Sequence, residues 1–102
     1  MAIDFRRGTI NFDSTRGQIQ SEVTSVVFRS PVTRADVALN GFDVQYTDGD
    51  HNLFRELIDA RIEAIRDRTV DVRVNYLLRD SSGNIDDRYH GRVDVLVIAE
   101  VA

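Results

Sequence analysis

The sequence predicts a single β-rich domain spanning residues 1–102, and three observations carry that reading. In TVDVRVNYLL, Val70, Val72, Val74, Tyr76 and Leu78 alternate with Asp71, Arg73 and Asn75, the period of 2 of a half-buried strand. In RVDVLVIAEVA, Val93, Val95, Val97, Ala99 and Val101 share one face. Short polar segments rich in Asp, Gly, Ser and Asn separate the apolar runs, as turns do.

Taken in order, GTINF places Ile10 and Phe12 on one face of a first strand. EVTSVVF ends in the apolar run Val26 to Phe28 and then meets Pro31, the only proline, which marks a strand end or edge because it cannot donate to a ladder. ADVALNGFDVQY runs to Tyr46, with Gly41 inside it as a bulge or a close approach. YTDGDHN is a turn, in which His51 with Asp48 and Asp50 is a capping or solvated residue. The run DSSGNIDD between the two clearest strands reads as a hairpin connection. The final strand also carries Leu96 and Ile98 on its second face, which predicts cover from the core on one side and from another layer or subunit on the other.

FRELIDARIEAIRD, residues 54–67, stays open between two states. At a period near 3.6, Phe54, Leu57, Ile58, Ile62 and Ile65 form a helical stripe. At a period of 2, Ile58, Ala60, Ile62 and Ala64 oppose Asp59, Arg61 and Glu63. Its composition favours a helix over about 52–66 and hence an α+β fold. As a strand it would form a hairpin with the next one through a loop around Arg66 to Val70, in a register that sets Glu63 opposite Arg73.

Composition narrows the function. All 13 basic residues are Arg, Asp outnumbers Glu 13 to 4, and the net charge is −4, which argues against nucleic acid as a partner. An all-Arg surface suits planar ion pairs at interfaces and with polar ligands. Zero cysteines exclude disulfides and thiol metal sites. No apolar run approaches the length of a membrane span, and the N-terminus lacks the apolar core of a signal peptide. Localisation is otherwise unknown. Two distant histidines, no nucleophile elbow and no phosphate loop predict no catalysis.

Several stretches in order resemble the H-type lectin family of the snail agglutinins and discoidins. RRGTINF is similar to the family's opening strand. VVFRSPVTRADVALNGFDV is similar to its I-x-F-x-x-P strand end and the strand that follows, with Phe28, Pro31, Val37 and Leu39 in place. NLFRELIDARIEAI resembles the N-L-x-V-x-A strand, and VDVLVIA the closing strand, with Val97 where the family has tryptophan. The resemblance implies an all-β, six-stranded antiparallel β-sandwich that assembles as a trimer or hexamer, and it turns residues 54–66 into a strand.

It also implies a sugar site at the seam between subunits, of galactose or N-acetylgalactosamine type. Arg55 or Arg61 falls where the family's arginine stands, and Arg16-Gly17 where the neighbour's loop stands. The Trp-His position falls at Leu78-Arg79-Asp80, but the chain has no tryptophan; Tyr89 and His90 come slightly later and offer an aromatic wall and a polar tip. Beside these roles, solvated ion pairs for Arg55 and Arg79 and loop packing for Tyr89 and His90 are the plainer readings. Asp80, Ser82, Asn84 and Asp86 alternate like calcium ligands, but the glycine sits fourth and no Glu closes the set, the pattern of a turn. No cofactor is expected. The expectation is therefore a multivalent carbohydrate-binding module for recognition or adhesion, with a structural assembly module that binds no sugar as the alternative.

Overall fold

A computed structural model describes residues 2–13, 19–47, 53–80 and 88–102, with the backbone alone at 53, 54, 79 and 80. It contains six strands: β1 (Ala2–Phe12), β2 (Gln20–Val27), β3 (Val32–Tyr46), β4 (Leu53–Arg66), β5 (Thr69–Asp80) and β6 (Tyr89–Val101). All strand pairs are antiparallel, in two three-stranded sheets ordered β1-β6-β3 and β2-β5-β4 that pack face to face. The fold is an all-β sandwich. Among the described residues no helix is long and apolar enough to cross a membrane.

The two strands with the clearest alternation hold the centre of their sheets. Val70, Val72, Val74 and Tyr76 of β5 are fully buried and face Val93, Val95 and Val97 of β6, also fully buried. A central strand has neighbours on both edges and a sheet across its inner face, so its inward side chains lose all contact with water. That burial is worth roughly 1.5–3 kcal/mol for each large aliphatic side chain. The residues of β1 and β2 that face this layer, Ile10, Phe12 and Val26, are buried with it. Arg6 closes the corner where β2 ends: its guanidinium lies 5.3 Å from the Phe28 ring centroid and its Nε donates to Val27 O at 3.1 Å.

Residues 54–66 are strand, which removes the α+β alternative. Helix propensity is overridden because Ile58, Ala60, Ile62 and Ile65 pair directly with Tyr76, Val74, Val72 and Val70 and share their inner face. The Glu63–Arg73 ion pair forms at 2.7 Å, though by another route than the expected register. Arg61 stands opposite Arg73, and a bulge between Ile62 and Ala64 frees Glu63 to reach across. The β4–β5 turn is tighter than expected, with Arg66 paired to Thr69 around Asp67 and Arg68. By contrast, the run between β5 and β6 is no hairpin, because those strands belong to different sheets. Only β4 and β5 are both consecutive and paired.

The turn at Asp67 ties the two sheets together. Its carbonyl accepts from Val32 N and that of Arg68 from Phe28 N, both at 2.8 Å. Asp67 adopts φ 56°, a left-handed value at the first of two loop residues, where a hairpin favours glycine. Asp67→Gly should therefore raise stability by about 1 kcal/mol, relief of the strained conformation outweighing the entropy of glycine. A thermal melt checks this, the midpoint rising by about 4–8 °C for a domain of this size. A lower midpoint would mean that the aspartate side chain holds the turn.

Candidate functional site

Alternation along β6 sends odd-numbered residues into the core and even-numbered ones to the outer face of the β1-β6-β3 sheet. His90, Arg92 and Asp94 thus face outward, flanked by Asn11 and Thr9 on β1 and by Gln45 and Asp43 on β3. Near the Tyr89 end these side chains line a groove of about 660 Å³ whose walls include Asn11, Asp13, Asp43, Gln45, His90 and Arg92. Its size lies within the range of small-ligand sites.

The groove is held by a polar network on rigid strands. His90 Nε2 lies 3.1 Å from the Gln45 amide nitrogen and Nδ1 lies 3.0 Å from Thr47 Oγ1. An amide nitrogen can only donate, so these contacts fit a neutral imidazole that accepts at Nε2 and donates from Nδ1 to the hydroxyl. Arg92 Nε donates to Asp94 Oδ2 at 3.2 Å, and its Nη1 is 3.8 Å from Asp43 Oδ2. Thr9 Oγ1 donates to Asp94 Oδ1 at 2.9 Å, so the network crosses all three strands of the sheet. The groove therefore presents a fixed guanidinium, two carboxylates, two amides and an imidazole, a set that matches ligands rich in hydroxyls.

The expected site residues scatter. Tyr89 is not an aromatic wall: it is 0% exposed, its ring centroid lies 5.7 Å from that of Tyr76, and its hydroxyl donates to Tyr76 O at 2.8 Å. Its parity with Val93 and Val95 was the signal that could have revealed this. Burial pushes its phenol up to about 12. Arg55 is exposed on the other sheet, opposite Arg79 in register, and Asp80 pairs with Leu53. Arg61 is also exposed and holds Asp59 at 2.9 Å. Within one protomer the outer faces of the two sheets look away from each other, so Arg55 and Arg61 are not brought to His90. Arg16, Gly17, Ser82, Asn84 and Asp86 lie outside the described residues, as does His51. Among the described residues no group of three or more His, Asp or Glu could hold a metal.

Asn11, Asp13, Asp43, Gln45, Thr47 and Arg92 were not singled out from the sequence. They converge only because β1 and β3, distant in the chain, both flank β6. The outer face of the second sheet is different in kind. There Ser21–Arg73–Glu63 and Ser25–Asp71–Arg66 form ladders across its strands. The Arg66 guanidinium, then the Ser25 hydroxyl, hold the Asp71 carboxyl below the usual carboxylate range. Paired donors and acceptors of this kind make a solvated face.

Fold and groove together define a six-stranded β-sandwich with a polar concavity on one outer face. No family model, curated protein or solved structure matches the chain.

Proposed function

We propose that the protein is an oligomeric carbohydrate-binding module similar to the H-type lectins, recognising a sugar of galactose or N-acetylgalactosamine type without covalent chemistry. The observation that carries this reading is the groove beside His90, where donors and acceptors of mixed type are held on strands and need little ordering on binding. Two three-stranded sheets agree with the architecture that the resemblance implies. The sugar lies against His90, Gln45 and Arg92. Arg55 and Arg61 contribute from a neighbouring copy, and several weak sites on one assembly multiply the affinity.

A glycan array probed with the intact protein, with and without calcium, tests the reading. Retention of a galactose-type glycan is expected. His90→Ala and Gln45→Ala should each weaken it about tenfold, the loss of one to two hydrogen bonds. Unchanged binding in both variants would place the sugar elsewhere, and silence across the whole array would end the lectin reading. A structural assembly module is the second reading. It is favoured by Ile3 and Phe5, 59% and 54% exposed on the outer face of the β1-β6-β3 sheet, and by the absence of tryptophan.

A further inference from the structure

The sandwich is closed along one long side and open along the other. On the β1–β2 side Ile10, Phe12 and Val26 are at most 6% exposed. On the β3–β4 side the inward residues are left half uncovered. Leu39 and Phe42 pair with the fully buried Val95 and Val93 and so face inward, yet each is 46% exposed. Ile65, paired with the buried Val70, is 39% exposed. A second apolar patch lies on the outer face of the β1-β6-β3 sheet, where Ile3 and Phe5 flank the half-buried Leu96 and Ile98.

We infer that copies of this chain associate head to tail in a closed ring, the Phe5 patch of one copy filling the Leu39–Phe42 seam of the next. This rests on the oligomeric part of the proposed function and names the surfaces that make it. Symmetry carries the inference. A twofold contact uses one patch against itself and would leave the other uncovered, whereas a head-to-tail contact covers both. The two patches lie on adjacent sides of the protomer, not opposite ones, so successive copies turn and close, where opposite patches would run on into a filament.

Three further observations fit a second copy as the occupant. The edges that border the seam are bulged, β3 at Val32/Arg34 and Leu39/Gly41, β4 at Leu53/Arg55 and Ile62/Ala64, while β1 and β2 pair without a break. Bulged edges resist strand addition and leave contact to side chains. A long side of 51 by 17 Å offers about 870 Å², against about 800 Å² per partner in a standard interface. Charge is complementary as well. Arg7 beside the patch and Glu56 at the seam make no ion pair in their own chain among the described residues.

The absence of native cysteine gives a direct test. Arg7→Cys places one thiol beside the patch and Asn40→Cys one beside the seam, both at exposed positions. Each variant, and the two combined in one chain, is treated with a short bismaleimide, and the untreated protein is weighed by light scattering. Covalent multimers from the double variant and only single chains from either single variant are expected. Dimers from one single variant would indicate a twofold contact and overturn the pairing. So would a double variant that stays uncrosslinked although the untreated protein scatters as an oligomer. A scattering mass of 11.6 kDa would instead remove the oligomeric reading beneath it.

Discussion

Gly91→Ala is expected to lower stability by about 3 kcal/mol or more, a large share of the 5–15 kcal/mol that holds a typical domain together. Gly91 sits in β6 between Phe12 of β1 and Val44 of β3, at φ +157°. A methyl group there would lie 2.1 Å from Asp43 O, 2.6 Å from Val44 Cα and 2.9 Å from Val44 Cγ2. Two of these three neighbours are backbone atoms of a strand paired along its length, so the clash is relieved only by parting β3 from β6. His90 and Tyr89 precede Gly91 directly, and the parting would also disturb the groove and the buried tyrosines. Urea denaturation measures the loss. Gly41→Ala serves as the control, because its added methyl meets nothing nearer than Asp94 Oδ2 at 3.7 Å and should change stability by less than about 0.5 kcal/mol. Equal midpoints for Gly91→Ala and wild type would show that β3 yields without cost.

The contrast between these two glycines shows what was legible in the sequence. Gly41 drew attention because it interrupts an alternating run, and it marks a bulge where a side chain fits. Gly91 carries the tighter constraint, yet it stands at the start of a strand where nothing in the local pattern betrays it. Its neighbours come from β1 and β3, some 45 and 80 residues away in the chain. The same distinction runs through the fold. Period 2 was enough to find β5 and β6, whose alternation reflects a single layer of cover on each inner face. It left residues 54–66 undecided, because helix and strand both bury Ile58 and Ile62, and only pairing with β5 separates them. Turn chemistry after Asp80 could not distinguish a hairpin from a passage between sheets, since both use the same residues. His90 was found as a polar tip beside an aromatic one. Its partners Gln45 and Thr47 arrive on β3 and carry no motif of their own.

Alkaline unfolding is the second large effect expected, with an unusually simple origin. The chain has no lysine and no cysteine, so its three tyrosines are the only side chains that titrate between about pH 9 and 12. Burial, and then the Glu56 carboxylate, raise the Tyr76 phenol far above its ordinary value. Burial lifts Tyr89 up to about 12. A phenol whose folded pKa exceeds its unfolded one favours the folded state fully below the unfolded value, near 10. That contribution is lost as pH rises through the folded value, because the unfolded chain releases its protons first. The fold should therefore hold its stability up to about pH 10 and lose it steeply by about pH 12. Phenolate absorbance and loss of β circular dichroism should appear together, not in sequence. The two tyrosines differ in what removal of the hydroxyl does at neutral pH. Tyr89→Phe gives up the bond to Tyr76 O and costs about 1 kcal/mol. The Tyr76 hydroxyl is buried with no hydrogen-bond partner among the described residues, so Tyr76→Phe should be neutral or stabilising by about 1 kcal/mol. Each substitution also removes one titrating group, and the double variant should carry the unfolding transition to higher pH than wild type. Phenolate appearing near pH 10 with the β signal intact would mean that the tyrosine end of the sandwich opens to water without unfolding, and that its burial contributes nothing to the alkaline limit.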